Sequence, residues 1–391
     1  MSVLSRVKKF KWQHYVSYVI LIIVACYFGQ YGLQRNLNRV FTTLLEKVTV
    51  AMILALSLNL VVGFLGELSL GHAGFMCIGA FIGGKITVLL QPGGQWASLL
   101  GSLGAYPGVV LLVSLLIGGL AAAICGVIIG LPALRLRGDY LAIVTLAFGE
   151  IVRNVIQNLP DELFGGTLGL EVPKYDRYHL FIIGFGVVII TLAVLQNLIR
   201  SKHGRAITSI RDSEIAARAC GINVTKYKLL IFTISAFFAG IAGVLFSVSK
   251  SSINTSIFDY NYSIEMLVMV VLGGMGSLGG SLISAALITY LNEWMQINLT
   301  GDQAILKDLL YALVLILLII YRNAPALKAF REKISIRNLF AKMKKHHDPA
   351  HIRDDEAKWD RVPSKINIDE VLSVDLQTNS PYTPDKPTKE K

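Results

Sequence analysis

The sequence predicts an all-α polytopic membrane protein with about ten transmembrane helices, some of them broken or re-entrant, followed by a disordered cytoplasmic tail. Hydrophobic residues make up 53% of the 391 residues, and the mean hydropathy is +0.57. Only 16% of the residues are charged, whereas soluble domains usually carry about a quarter. The apolar residues also fall into repeated segments close to the roughly 20 residues that a helix needs to cross the hydrocarbon core.

Ten apolar segments qualify or nearly qualify as membrane spans. In chain order they run from about Tyr15 to Tyr31, Leu44 to Leu65, Ala73 to Leu90, Gly108 to Leu131, Tyr140 to Asn158, His179 to Ile199, Leu229 to Val248, Ile264 to Met275, Gly279 to Ile297 and Ala304 to Tyr321. The first is expected to be retained, because no small-residue cleavage site follows it. An even number of crossings places both termini on one side. Since short loops rich in Lys and Arg stay in the cytoplasm, both termini are predicted to be cytoplasmic.

The composition also excludes several function classes. The net charge of +11 is interpreted as an orientation signal and as contact with anionic membrane lipid, and nucleic acid is not expected as a partner. The four cysteines are far apart and predict neither a metal site nor a disulfide framework. Gly79–Lys85 has most of a phosphate-binding loop, but Ile86 stands where Ser or Thr must bind magnesium. We therefore expect no metal, no cofactor and no enzyme activity, including ATP hydrolysis, in the chain itself.

A polar loop, Arg200–Lys228, separates two long apolar segments and carries seven basic residues against two acidic ones. This charge predicts a cytoplasmic position. Asp212 is expected to cap a helix of about two turns, whose alanines favour helix formation, and Gly221 suits the left-handed stop. Such a helix outside the bilayer could be gripped by a soluble partner. The alternative is an ordinary interhelical loop.

Two glycine-rich stretches predict interruptions of membrane helices, which we call the first break (Gly63–Gly74) and the second break (Gly273–Gly280). The segment before the second break, Ile264–Met275, is too short to cross alone. Paired breaks in the two halves of a transporter often mark the transport path, whereas the alternative is close helix packing through small residues. The candidate path residues are Glu67, Ser69, Gly71, His72, Gly273, Gly274 and Gly276.

The predicted outer loop, Asn158–Tyr178, mixes acidic residues, glycines and prolines. Gly165, Gly166 and Thr167 in this loop are candidates for a gate or a partner contact, although the loop could simply connect two spans. Residues 335–391 are polar and rich in proline, which predicts disorder.

Several stretches together carry a family resemblance. They are Gly63–Ala80, Leu134–Arg153, Gly165–Leu170, His203–Leu245 and Val271–Gly280. In these stretches the chain resembles the permease subunits of bacterial ABC importers for branched-chain amino acids, in particular the longer of the two permeases in that system. The resemblance covers roughly Leu44 to Tyr321.

The resemblance implies a transmembrane permease domain, residues 1–334, with a coupling loop at residues 200–228. The polar tail at residues 335–391, predicted from its composition to be cytoplasmic, is a departure from the family's pattern. The resemblance also implies a bacterial plasma (inner) membrane location and three kinds of partner: a second homologous permease, two cytoplasmic ABC ATPase subunits, and an extracytoplasmic substrate-binding protein. The residues assigned to ATPase coupling are Arg211, Asp212, Glu214, Ala216, Ala217 and Gly221.

Two alternatives stay open at this point. Similar permeases carry urea, amides or other amino acids. An ion-coupled secondary transporter or channel belongs to another class, and the sparse acidic residues in the apolar segments argue against it, because such coupling usually needs buried carboxylates on the path.

Overall fold

The described part of the chain is almost entirely helical, because a helix satisfies its backbone hydrogen bonds within one segment and lipid offers no other partner. The computed structural model describes residues 39–92, 94–96, 106–136, 138–166, 168–173, 175, 177–250, 252–298, 313 and 316. The helices are α1 (Arg39–Asn59), α2 (His72–Leu90), α3 (Pro107–Ala133), α4 (Asp139–Asn158), α5 (Asp161–Phe164), α6 (Arg177–Arg200), α7 (Lys202–Asp212), α8 (Glu214–Ala219), α9 (Val224–Ser249), α10 (Tyr260–Gly273) and α11 (Leu278–Asn298). A π-helical stretch, Leu60–Leu65, continues α1, and a 3-10 turn, Thr255–Ile257, precedes α10.

Five helices in the described residues are long and apolar enough to cross a membrane. They are Thr42–Leu65, His72–Leu90, Pro107–Ala133, Leu180–Arg200 and Val224–Ser249. Two further predicted spans are helical as α4 and α11 but are not among these five, and α10 is a shorter apolar helix. The predicted spans Tyr15–Tyr31 and Ala304–Tyr321, apart from residues 313 and 316, and the tail at residues 335–391 lie outside the described residues. The all-α membrane architecture is confirmed, and the total of ten spans stays a prediction.

Helix α9 lies among α1, α2 and α3 and forms the centre of the packing. Glycines allow the backbones to approach closely, as in other membrane helix pairs. A β-carbon at Gly243 of α9 would lie 2.1 Å from the backbone oxygen of Met76 in α2. A β-carbon at Gly79 would likewise lie 2.1 Å from the backbone oxygen of Gly240. The α2–α9 contact therefore depends on the absence of side chains at these positions.

Helix α3 exposes a row of large apolar side chains spaced four residues apart. They are Leu112, Leu116, Leu120, Ile124 and Ile128, each more than half exposed. Residues at this spacing lie along one helix face. An exposed apolar face of this length is typical of a helix that contacts lipid or another membrane protein.

A short antiparallel ladder connects the predicted outer loop with the segment that follows α9. It lies near the ends of α2 and α9 that are away from the polar loop. Strands β1 (Leu170–Glu171) and β2 (Ser252–Ile253) pair with Leu170 opposite Ile253. Lys85 near the end of α2 donates a hydrogen bond of 2.8 Å to the backbone oxygen of Glu162. The predicted outer loop is therefore attached both to α2 and to the connection between α9 and α10.

The packing of α9 generates a stability prediction. Gly243→Ala is expected to destabilise the protein by about 1–3 kcal/mol, because the new methyl group would overlap the Met76 carbonyl. Gly186→Ala is the matched control, since a β-carbon at this position of α6 would have no atom within 4 Å. Thermal unfolding of the purified variants in one detergent measures the difference. An equal transition temperature for both variants would contradict the close α2–α9 contact.

Candidate functional site

The first break begins in the π-helical stretch that continues α1. The stretch ends at Gly66, whose φ of 81° is left-handed, and α2 begins six residues later at His72. A β-carbon at Gly66 would lie 2.8 Å from Cγ of Arg211, so the polar loop packs directly on the break. π-helical stretches within helices are frequent at functional sites. The predicted interruption is therefore present, and it faces the polar loop.

The second break lies between α10 and α11. Gly274 and Gly276 have φ values of 102° and 80°, which residues with side chains rarely adopt. The hydroxyl of Ser277 accepts a hydrogen bond from the backbone N–H of Gly280 in the first turn of α11. The glycines thus turn the chain sharply, and the serine caps the helix that follows.

The two breaks contact each other through one buried side chain, Asn59. Its Nδ2 atom donates to Oγ of Ser281 at 2.8 Å, and its Oδ1 atom accepts from the backbone N–H of Gly276 at 2.9 Å. Asn59 is 0% exposed. A β-carbon at Gly63 would lie 2.2 Å from the Gly276 nitrogen, so the backbones themselves also touch. Asn59 is not among the path residues predicted from the sequence, although a lone asparagine within a long apolar run is the signal that marks it.

Buried polar side chains also surround the start of α2. Nε2 of His72 lies 3.0 Å from Oγ of Ser57 and 3.3 Å from Oγ of Ser235. Each hydroxyl already donates its single proton, Ser57 to the backbone oxygen of Leu54 and Ser235 to that of Ser57. Both hydroxyls can therefore only accept from the imidazole, which places the proton of a neutral His72 on Nε2. His72 connects α1, α2 and α9.

Three of the predicted path residues, Ser69, Gly71 and His72, are packed closely against the rest of the protein. Ser69 is 0% exposed, and His72 is 1% exposed. Oγ of Ser69 and Nδ1 of His72 have no hydrogen-bond partner among the described residues. A β-carbon at Gly71 would lie 2.2 Å from the backbone oxygen of Thr145 in α4. In this conformation Ser69, Gly71 and His72 are enclosed by protein, and two of their buried polar atoms have no partner among the described residues.

The polar loop folds into two short helices with ordinary capping. Helix α8 is six residues long, and its N-cap is Ser213, whose Oγ accepts from the backbone N–H of Ala216. The expectation that Asp212 caps this helix is wrong. Asp212 is the last residue of α7, and its carboxylate accepts from Arg211 at 3.0 Å, whereas Ser213 leaves the helical backbone conformation. Gly221 is left-handed, with φ of 79°, as predicted.

The two alanines of α8 that are predicted to contact an ATPase lie on different faces of the helix. Ala217 is 3% exposed and packs against the protein, whereas Ala216 is exposed. Ile215 is 78% exposed. An apolar side chain this exposed outside a membrane span is a candidate anchor for a partner. Ile215 is not among the coupling residues predicted from the sequence, because the alanines around it dominate the pattern.

An ion-pair chain connects α8 to the first break. Nζ of Lys228 lies 2.5 Å from Oε1 of Glu67 and 3.3 Å from Oε2 of Glu214. Glu214 also pairs with Arg218 at 2.5 Å. The Lys228 side chain is only 4% exposed, compared with 13% for Glu67 and 19% for Glu214. The lysine is thus enclosed between two carboxylates, one from the first break and one from α8.

Arg211 makes a second connection between the polar loop and the breaks. Its Nη1 atom donates to the backbone oxygen of Gly63 at 3.3 Å. A β-carbon at Gly276 would lie 3.8 Å from the same nitrogen. The guanidinium therefore satisfies a carbonyl next to the point where both breaks meet.

The predicted gate lies elsewhere. Gly165 and Gly166 are left-handed, with φ of 74° and 51°, and follow α5 in the outer loop. Thr167 lies outside the described residues. The structure thus brings residues of the first break, the second break and the polar loop together, but not the outer glycines. Within the described part of the chain, no three His, Cys, Asp or Glu side chains are grouped as metal ligands.

Comparisons with known proteins give consistent matches. A family described as "Branched-chain amino acid transport system / permease component" matches residues 40–319. The "High-affinity branched-chain amino acid transport system permease protein LivM" of Escherichia coli strain K12 is 35% identical over 323 residues, 74% of this chain and 71% of that protein. A "Probable branched-chain amino acid transport permease protein LivM" of Methanocaldococcus jannaschii is 28% identical, over 58% of this chain and 72% of that protein. The "Ribose import permease protein RbsC" of E. coli is 29% identical, over 41% of this chain and 50% of that protein. No solved structure matches significantly.

The ion-pair chain generates a prediction. Lys228→Met removes the cation between the carboxylates of Glu67 and Glu214, of which Glu214 keeps its ion pair with Arg218. The substitution is expected to cost about 3 kcal/mol of stability. Adding Glu67→Gln to Lys228→Met is expected to recover part of this loss, because one uncompensated charge is removed. Thermal unfolding of the single and double variants measures both effects.

Lys226→Met is the matched control, because Lys226 is exposed and forms no ion pair with the described residues. Equal losses for the two lysines, or strictly additive effects of Lys228→Met and Glu67→Gln, would contradict the enclosed ion-pair chain.

Proposed function

Since the chain belongs to the family of branched-chain amino acid transport system permease components, we propose that it is the transmembrane permease subunit of an ATP-driven importer of branched-chain amino acids: leucine, isoleucine and valine. The family resemblance found in the sequence is thereby confirmed. The substrate proposal is supported by the names of the relatives, which describe branched-chain amino acid transport in both E. coli and M. jannaschii.

The proposed assembly contains a second homologous permease, two cytoplasmic ABC ATPases and an extracytoplasmic substrate-binding protein. The exposed apolar row of α3 offers a surface for lipid or for the second permease. The exposed face of α8, with Ile215 as its apolar anchor, offers a surface for an ATPase. In this assembly the chain has no cofactor and catalyses no reaction itself, and ATP is used by the partner subunits.

One observation carries the proposed coupling mechanism. Glu214 on α8 pairs with Lys228, and Lys228 pairs with Glu67 of the first break. A displacement of α8 by an ATPase would therefore pull on the first break through charged contacts that are shielded from water. Since Asn59 holds the first break to the second, both breaks would move together. Such shifts of helices at subunit interfaces are a common way of switching between two states.

The orientation follows from the same assembly. The polar loop must face the ATPases, so it is placed in the cytoplasm, in agreement with its basic charge. The ends of α1 and α9 away from this loop then face the outer side, where the binding protein would dock. We place the chain in the bacterial plasma (inner) membrane with both termini in the cytoplasm.

Uptake measurements test the proposed function. In a strain of the source organism lacking the gene, uptake of radiolabelled leucine is expected to fall, and the wild-type gene is expected to restore it. Ribose and urea serve as comparison substrates, because relatives or similar permeases carry them. Unchanged leucine uptake, or loss of urea or ribose uptake alone, would contradict the substrate. Leucine uptake by the purified chain in liposomes without ATP would contradict the ATP-driven mechanism.

Ile215 provides a sharper prediction for the ATPase contact. Ile215→Asp is expected to lower leucine uptake and substrate-stimulated ATP hydrolysis about tenfold or more, because a charge would replace an interface anchor. Leu136→Asp is the control, since Leu136 is also an exposed apolar residue, in the loop between α3 and α4. Normal coupling in Ile215→Asp at wild-type membrane levels would rule out α8 as the contact.

A further inference from the structure

A cavity of about 370 Å³ lies between the ends of α1, α9, α10 and α11 that point away from the polar loop. This volume is within the range of small-molecule sites, about 300–1,000 Å³. Lys250, which directly follows α9, marks its position. Since a helix rises about 1.5 Å per residue, Lys250 lies roughly 33 Å from Lys228, close to the thickness of the hydrocarbon core. We call this space the outer cavity.

The outer cavity contains charged groups of both signs. Lys47 of α1 forms an ion pair with Glu293 of α11. Glu265 of α10 accepts a hydrogen bond of 3.1 Å from Nδ2 of Asn292. A carboxylate has room for about four hydrogen bonds, so both acidic groups can accept further donors. The cavity is thus polar on the side formed by α10 and α11.

Lys250 differs from the other charged groups of the cavity. Its ammonium lies 5.9 Å from the centroid of the Phe246 ring and forms no ion pair with any described residue. Burial lowers the pKa of Lys250, and the nearby Lys47 lowers it further, whereas Glu293 and Glu46 raise it. A partly buried cation in this position would be stabilised by an anion.

The remaining wall of the cavity is suited to an apolar group. Val50 and Ala51 of α1 and Met269 of α10 line it, and each is buried. Oγ1 of Thr289, another lining residue, is buried without a hydrogen-bond partner among the described residues. An unsatisfied buried hydroxyl indicates a missing partner. The cavity therefore combines an unpaired cation, two carboxylates, a free hydroxyl and an apolar surface.

We propose that the outer cavity is a transient binding site for the zwitterionic amino acid on its way into the membrane. Lys250 pairs with the α-carboxylate, Glu265 and Glu293 accept hydrogen bonds from the α-ammonium, and the apolar wall contacts the branched side chain. This inference rests on the proposed function, because that function supplies an amino acid as the solute. Binding at such a site is weak, since a transport path must also release its substrate.

Cysteine protection in the full-length chain tests this site. In a background without the four native cysteines, Gln296→Cys places a thiol at the cavity, because Gln296 is an exposed lining residue of α11. Asn298→Cys is the matched control, since Asn298 is exposed on the same helix but does not line the cavity. The rate of modification by a small thiol reagent is measured in lipid nanodiscs with increasing leucine.

Leucine is expected to slow the modification of Gln296→Cys and to leave Asn298→Cys unchanged. Leucinamide, which lacks the carboxylate, and 4-methylpentanoate, which lacks the ammonium, are expected to protect at least tenfold less well. Lys250→Met is expected to raise the half-protecting leucine concentration by a similar factor. Lys250→Arg retains the cation, and it is expected to remain close to wild type.

Equal protection by leucine and 4-methylpentanoate would overturn the zwitterion assignment in favour of a simple anion site. Wild-type protection in Lys250→Met would overturn the role of the lysine. If leucine uptake depends on the chain but leucine protects neither cysteine, the cavity assignment fails and the proposed function stands. If leucine uptake does not depend on the chain, the proposed function fails, while selective protection by leucine still supports the cavity as a zwitterion site.

Discussion

The backbone groups released where α1 and α10 are interrupted must find partners inside the protein, because lipid provides none. Asn59 and Arg211 meet this requirement. The amide of Asn59 binds the backbone N–H of Gly276 and the hydroxyl of Ser281, and the guanidinium of Arg211 binds the carbonyl of Gly63. Both contacts join distant parts of the chain. The interruptions are therefore held in one defined arrangement, and they are tied to a segment outside the apolar spans.

Around this junction, the protein combines close backbone packing of α9 against α2 with a charged connection to α8. Helix α9 is packed against α2 through glycines with no room for a side chain, which makes relative sliding of these helices costly. The connection to α8, in contrast, runs through the carboxylates of Glu67 and Glu214 on either side of Lys228. These ion pairs are largely shielded from water, since the side chains of Lys228, Glu67 and Glu214 are 4%, 13% and 19% exposed. Because Lys228 lies on α9, this connection joins α8, the first break and the central helix.

Much of this architecture follows from the sequence. Hydropathy located the five long apolar helices of the described residues, because crossing a bilayer demands long uninterrupted apolar runs. Glycine clusters located both breaks, and Gly221 was correctly assigned to the end of α8. What escaped prediction depends on contacts between residues far apart in the chain, such as Asn59 with Ser281 and Lys228 with Glu67. The cap at Ser213 was not predicted because Asp212 and Ser213 are both good capping residues, and the choice between them depends on where α7 ends. The burial of Ala217 depends on which face of α8 packs against the neighbouring helices, and no local sequence pattern specifies that face.

The ladder between β1 and β2 links the outer loop to the segment that carries Lys250 of the outer cavity. Ser252, opposite Glu171, lies two residues after Lys250, so the ladder and the ammonium of the cavity belong to one short stretch of backbone. The outer loop and the charge that faces the cavity are therefore held by the same short segment that follows α9.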